Sequence, residues 1–569
     1  MNFIQYKILR NTIMGEQKAD TILKNGKIID VLTGRIKEGN IGIRDGIILG
    51  ISDKFEADEV IDLNGAYVAP GFIDAHLHLE STMVSPSELV ALASAHGTTT
   101  FIVDPHEAAN VSGAAGINYI LDQTATSLAN VYVMMPSCVP ATNIDDNGCT
   151  FEARDMIPYL NNTRVLGLGE VMDDQAVINA DQSMFEKLSL FHLKVIDGHA
   201  PFISDDELNV YRCAGITTDH EASSYEYAMK EAERGIHVHI REGSAAHNCA
   251  DIIKGIVRDG IDTDPFSFCT DDKHVEDILT NGHISHNIKI AIENGMPPIK
   301  AIKMATINTA RTYGLKHLGA ITPGAQADLV ILKDLEKVEI DSVYFKGKKI
   351  EKNVKPFSVP CPDELKNTVN LSPVNKDTFI LPITQDETHV ISIDKAQITT
   401  TDLVKQFEKT DNFKPHDGFL KIAAVERHKN TGKIGIAVAT GYGIINGAVA
   451  SSVSHDSHNI IVIGDNDEDM AIAVNALIES QGGYSLAAGG KIFDTLPLPI
   501  MGLMSDIGYD KINAKLQVMK QKAYEMGVLK EIDPFITLSF LALPVIPTLR
   551  ITPRGLYRLD ETGLNPVKI

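Results

Sequence analysis

Residues 72–80, FIDAHLHLE, form an apolar strand pattern that ends in two histidines and a glutamate, and seven further segments of the same build follow. They are TTTFIVDPHE (98–107), NVYVMMPSCVP (130–140), TRVLGLGEVM (163–172), LKVIDGHAP (193–201), GITTDHE (215–221), IHVHIREGS (236–244) and FSFCTDDKH (266–274). Each precedes a helical stretch, and strands that alternate with helices imply parallel βα units. Eight units over about 250 residues is the arithmetic of a closed (β/α)8 barrel, whose active sites lie at the C-terminal ends of the strands. The reactive-looking residues here fall at those ends.

Outward from the barrel, residues 21–68 read as short β runs broken by Asn25-Gly26, Asp45-Gly46 and Asn64-Gly65, which are tight-turn signals. Residues 320–350 return to that pattern and are expected to complete the same sheet. VKPFSVPCPDE (354–364) reads as a linker, and the remainder mixes strand-like segments with a Gly-rich centre. The expected fold class is therefore α/β: a leader over 1–18, a composite β-sandwich from 19–69 plus 316–353, a (β/α)8 TIM barrel over 70–315, and an additional C-terminal α+β domain over 354–569.

The chain has 569 residues with 75 Asp+Glu against 52 Lys+Arg, a formal charge of −23. That sign opposes a nucleic-acid partner, whose affinity rests on clustered Lys and Arg. The six cysteines form no C-x-x-C pair, which argues against a zinc ribbon or a disulfide scaffold and for a reducing cytoplasm. The N-terminus lacks the continuous apolar stretch and cleavage site of a signal peptide. The densest apolar run, ITLSFLALPVIPTL (536–549), is too short and too interrupted for a membrane span. No Walker A or Rossmann glycine fingerprint appears in context, so ATP or NAD chemistry has no footing.

His76 and His78 lie two apart on a strand, so both imidazoles face the same side and can converge on one ion. Glu170 ends the fourth strand, His199 the fifth, His220 the sixth and Asp271 the eighth. Four imidazoles and two carboxylates in one barrel mouth suit two metal ions, and mixed N/O donors without thiolate favour zinc, iron or manganese.

With these motifs the chain resembles the amidohydrolase superfamily over residues 20–350: VAPGFIDAHLHLE, GHA, TDH and the Asp of CTDD occur in its strand-end order. A carboxylated lysine is frequent in that superfamily at the position held here by Glu170; the nearest lysine, Lys194, belongs to the next strand. HLHLESTM, GTTTFIVDPHEAANV, GLGEVM and the C-terminal SHDSHN (454–459) resemble more closely the bacterial adenine deaminase family, a likeness that takes in the third domain. The resemblance implies two divalent ions per subunit, Mn²⁺ or Fe²⁺ with Zn²⁺ as an alternative. It further implies adenine and water as substrates and a homodimer or larger homo-oligomer, with neither nucleic acid nor membrane as partner. A hydroxide would attack C6 of adenine, with Asp271 as general base and Glu221 as leading proton donor to the ring. His106 would polarise the leaving amine or orient the hydroxide. Glu107, Arg241, His455 and Asp456 are candidate substrate contacts, although Arg241 is expected to pair with Glu242. Asp272 reads as solvated or as a helix cap.

The same nucleophile suits an amide carbonyl, so an N-acetyl sugar deacetylase or a cyclic amidase is the alternative within the superfamily. A non-catalytic barrel is the reading from another class, and a filled ligand set argues against it. The small zinc nucleobase deaminases are excluded, because His78-Leu79-Glu80 imitates half of their signature while the Pro-Cys-x-x-Cys half is missing.

Overall fold

A computed structural model describes residues 2–201, 203–351, 358–395, 399–560 and 563–568. Residues 354–357 of the expected linker lie outside the described residues. At the centre stand eight strands: β1 (Phe72–Leu77), β2 (Thr98–Val103), β3 (Asn130–Met135), β4 (Val165–Val171), β5 (Val195–Gly198), β6 (Thr218–Asp219), β7 (His237–Arg241) and β8 (Phe266–Cys269). They pair in chain order and every pairing is parallel. The ring closes just past the strand ends, where Asp271 N donates to His76 O at 3.0 Å and His78 N donates to Asp271 O at 3.4 Å. Asp271 takes a left-handed φ of 56° there, a conformation that Asp tolerates better than most residues.

Strand alternation sorts the barrel. Along β1, Asp74, His76 and His78 share one face, and Asp74 lies beneath the histidines, accepting from Thr270 Oγ1 at 2.5 Å and from Thr270 N at 3.1 Å. Ile73 and Ala75 pack outward in a core with Phe266 of β8 and with Ile288 and Ile302 of the surrounding helices. On β4, Gly169 is required: a Cβ there would stand 2.1 Å from Oδ2 of Asp104, the oxygen that accepts from Glu170 N at 2.9 Å.

The N-terminal strand Ala19–Asp30 pairs antiparallel with Arg35–Arg44 and, on its other edge, parallel with Ala57–Asp62 and then with Tyr67–Pro70. Leu329–Asp334 and Glu339–Phe345 extend the same sheet. Asp45-Gly46 makes a hairpin turn with both φ angles positive. Asn25-Gly26, expected as a turn, instead sits inside one continuous strand as a bulge, because both flanking runs find partners on the same neighbour. Residues 1–18, expected as a leader, contain a capped helix, Phe3–Ile13, whose Leu9 packs with Ala19 and Leu49.

The C-terminal region holds a further eight-stranded sheet, the third after the barrel and the N-terminal sheet, with the helix Asp467–Glu479 on one face. Period two again divides it. Ala423, Val425, Ala448, Ala450, Ile460 and Val462 meet Met470, Val474 and Leu477 of that helix. Ile422, Ala424, Val449, Ile461 and Ile463 belong to a core that also contains barrel residues such as Leu77 and Val103. One continuous apolar core thus joins the C-terminal region to the barrel, and it brings segments 454–459 and 536–546 to the barrel mouth. No helix among the described residues is long and apolar enough to cross a membrane.

Candidate metal centre

Glu170, at the end of β4, lies between two pairs of histidines. Its Oε1 faces His78 Nε2 at 3.3 Å and His76 Nε2 at 3.8 Å, and its Oε2 faces His199 Nδ1 at 2.7 Å and His220 Nε2 at 3.4 Å. Asp271 Oδ1 approaches His78 Nε2 at 3.1 Å from the opposite side. All six expected ligands therefore converge, and all are buried.

The donor chemistry fits divalent metal. His78 Nδ1 points to the carbonyl oxygen of Asp104 at 3.0 Å, which places the ring proton on Nδ1 and a lone pair on Nε2. That lone pair faces His76 Nε2 at 3.2 Å. Glu170 Oε1 and His199 Nε2 are buried with no hydrogen-bond partner among the described residues. Burial alone would raise the Glu170 carboxyl, but contacts from His106, His199 and His220 hold it well below the usual carboxylate range. Asp271 is likewise held low, since Arg241 and His78 outweigh its desolvation.

Arg241 departs from its expected pairing. Its Nη1 contacts Glu221 Oε1 and lies 2.7 Å from Asp271 Oδ2, and its Nη2 donates to Glu221 Oε2 at 3.1 Å. Glu242 turns the other way, to His247 Nδ1 at 2.8 Å, because successive strand residues point to opposite faces. Glu221, expected as a proton donor, is held by the Arg241 guanidinium, which outweighs burial and holds its carboxyl below the usual range.

His106 and Glu107 open the helix His106–Gln123 directly after β2. His106 Nδ1 reaches Glu170 Oε1 at 3.1 Å, and Nε2 lies 3.7 Å from Oδ1 of Asp456, which the C-terminal domain supplies. Glu107 is fully buried beneath the pocket, accepts from Ser81 Oγ at 2.8 Å, and is pushed up to about 7 by burial. His455 stands over it, Nδ1 to Glu107 Oε1 at 3.5 Å, with its ring stacked on Phe540 at 4.8 Å. Asp272 is half-buried and is not the cap of the next helix, a position held by His274: it contacts Ser81 Oγ and lies 3.8 Å from His455 Nε2. Lys194 is spent on the carbonyl of Val165, away from the centre.

The cavity above the cluster is lined on its barrel side by Arg241, Asp271 and Met172 and on its C-terminal side by His455, Phe540 and Ile546. Sequence reading passed over Asp104, Ser81 and Phe540. Asp104 ends a strand in VDPHE and carried the same signal as the ligands; Phe540 lay inside the apolar run 536–549, which has no local mark of a binding wall.

Fold and site together define a metal-dependent hydrolase of the (β/α)8 barrel class. Residues 67–350 match the amidohydrolase family, and residues 397–562 match the adenine deaminase C-terminal domain. The adenine deaminase of Desulfitobacterium hafniense is 49% identical over 99% of both chains. That of Clostridium acetobutylicum is 41% identical over 96% of this chain and 97% of its own, and that of Bacillus subtilis is 40% identical over 96% of each. The chain belongs to the adenine deaminase family of the amidohydrolase superfamily.

Proposed function

We propose that this chain hydrolyses adenine to hypoxanthine and ammonia as a cytoplasmic, homo-oligomeric enzyme. The observation that carries the reading is the composite cavity. His455, Asp456, Phe540 and Ile546, from the region that matches the adenine deaminase C-terminal domain, line one cavity with five of the six barrel donors, His78, Glu170, His199, His220 and Asp271. Free thiols at all six cysteines support a reducing compartment.

His76, His78, Glu170, His199, His220 and Asp271 would hold two divalent ions, manganese or iron with zinc as an alternative, which when bound supply a nucleophile at neutral pH. The remaining chemistry falls to the chain. Phe540, Ile546 and Met172 offer an apolar wall to one face of a planar base. Arg241 holds Glu221 and Asp271 as carboxylates, so Asp271 can accept the proton of the attacking water and return it to the departing amine. Glu221 is then suited to accept a hydrogen bond from a ring N–H. His106, between Glu170 and Asp456, takes over the donor role toward the purine.

The test is release of ammonia and hypoxanthine from adenine by enzyme reconstituted separately with manganese, iron and zinc, beside Asp271→Asn. Turnover that the substitution abolishes is expected. Inactivity toward adenine with a fully loaded centre would overturn the reading, and turnover with zinc alone would overturn the manganese or iron assignment. Size-exclusion chromatography with light scattering is expected to show at least two chains per particle.

A further inference from the structure

Beside the main cavity lies a second and much smaller one, with room for about one water-sized molecule, and Ala245, Asp272, His455 and Phe540 line both. Its lining brings Tyr484, Ser539 and Ser81 together from three distant parts of the chain. A purine cannot enter it. What it can accept is a small polar molecule.

Two independent features say what kind. The first is charge: Asp272 lines both cavities, and the small one is lined besides by His274 and His455 but by no lysine or arginine. The second is an unanswered hydroxyl. Tyr484 is fully buried, its Oη has no hydrogen-bond partner among the described residues, and the side chain lines this annex. A buried hydroxyl without a partner is destabilising, so a ligand that answers it is favoured. The tyrosine ring is held in place by stacking on Phe535, with centroids 4.5 Å apart and planes 13° apart. The wall therefore presents a carboxylate and hydroxyl oxygens to a guest that fills one water's volume. Ammonium carries one positive charge and four N–H donors, and it is isosteric with water.

We propose that the annex is a binding site for ammonium, the small product of the reaction. This deepens the adenine reading and rests on it. In that reaction an oxygen–carbon bond forms at C6 and the C6–N6 bond breaks. The nitrogen leaves as ammonia carrying a proton that came from the water, and a further proton from solvent makes ammonium. The annex shares lining residues with the purine cavity and so lies beside the place where this product is released.

The test uses the metal-loaded full chain, after adenine turnover has been measured. Inhibition by ammonium chloride, methylammonium chloride and tetramethylammonium chloride is compared at ionic strength held constant with sodium chloride. Ammonium is expected to inhibit and tetramethylammonium, which is too large for the annex, to match the sodium control. In Tyr484→Phe the inhibition constant for ammonium should rise at least about fivefold relative to that for hypoxanthine, which reports on the main cavity; Ser539→Ala serves as the second variant should Tyr484→Phe fold poorly. Direct binding of ¹⁵N-ammonium, followed by its NMR linewidth in the presence of enzyme, gives a readout that does not depend on turnover. Turnover without ammonium-specific inhibition or binding, or equal ammonium inhibition in wild type and variant, overturns the annex and leaves the adenine reading standing. An absence of adenine turnover overturns both.

Discussion

Nδ1 of His199 lies 2.7 Å from Oε2 of Glu170, while the other oxygen of that carboxylate faces His78, 3.3 Å away. Glu170 thus links the histidines of β1 to those of β5 and β6. Glu170→Gln keeps the shape but replaces one of these oxygens with an amide nitrogen, which offers no lone pair to a cation. The expected result is fewer than two metals per chain by plasma mass spectrometry and a fall in kcat/KM of about a thousandfold, ~4 kcal/mol of transition-state free energy. Full metal content with undiminished turnover would contradict the role assigned to Glu170.

Arg241 is the buried cation that faces Glu221 and Asp271 together. Arg241→Met leaves two carboxylates without it, and removing one partner of a buried ion pair costs about 3–5 kcal/mol. Denaturant unfolding should show a loss of that order together with a drop in kcat. Arg241→Lys is expected to recover the charge but not the two-point hold on Glu221, giving intermediate stability and a kcat well below wild type.

Phe540 is the aromatic member of the apolar wall and the ring on which His455 stacks. Phe540→Ala should raise KM for adenine about tenfold, equivalent to ~1.4 kcal/mol, and change kcat far less, because the contact is made equally to ground and transition states. A loss confined to kcat would place Phe540 elsewhere in the cycle.

Glu231, on the helix Tyr225–Glu233, is fully buried, and burial together with Asp219 raises its carboxyl well above the usual range. The folded chain therefore keeps a proton that the unfolded chain releases above about pH 4.3, so this group's stabilisation is full below that pH and is lost as pH rises. Glu231→Gln, which mimics the protonated acid, should raise Tm more at pH 8 than at pH 5. Equal shifts at both values would mean that the carboxyl is already ionised in the folded protein.

Much of the barrel was legible because its signals are local. An apolar run with a polar residue at its end repeats eight times, and the period-two geometry of a strand puts His76 and His78 on one face wherever the strand lies. The Asn-Gly reading failed at residues 25–26 for the complementary reason. A dipeptide that permits a positive φ permits a turn or a bulge alike, and the neighbouring strand Arg35–Arg44, which pairs on both sides of it, selected the bulge. The helix at residues 3–13 went unread because its burial rests on so few contacts, chiefly Leu9.

By itself, then, the sequence determined the strand order, the chemistry of the six donors and their place at strand ends, since each depends on residues within a few positions of one another. Only the tertiary structure decided that Arg241 faces Glu221 and Asp271 and not Glu242, that Asp272 turns inward to Ser81, and that the run 536–549 walls a purine-sized cavity. These contacts join residues from 20 positions apart, Glu221 and Arg241, to more than 350 apart, Met172 and Ile546. Coulomb attraction and dispersion fall off with distance in space, and only the closed barrel and the core it shares with the C-terminal domain set that distance.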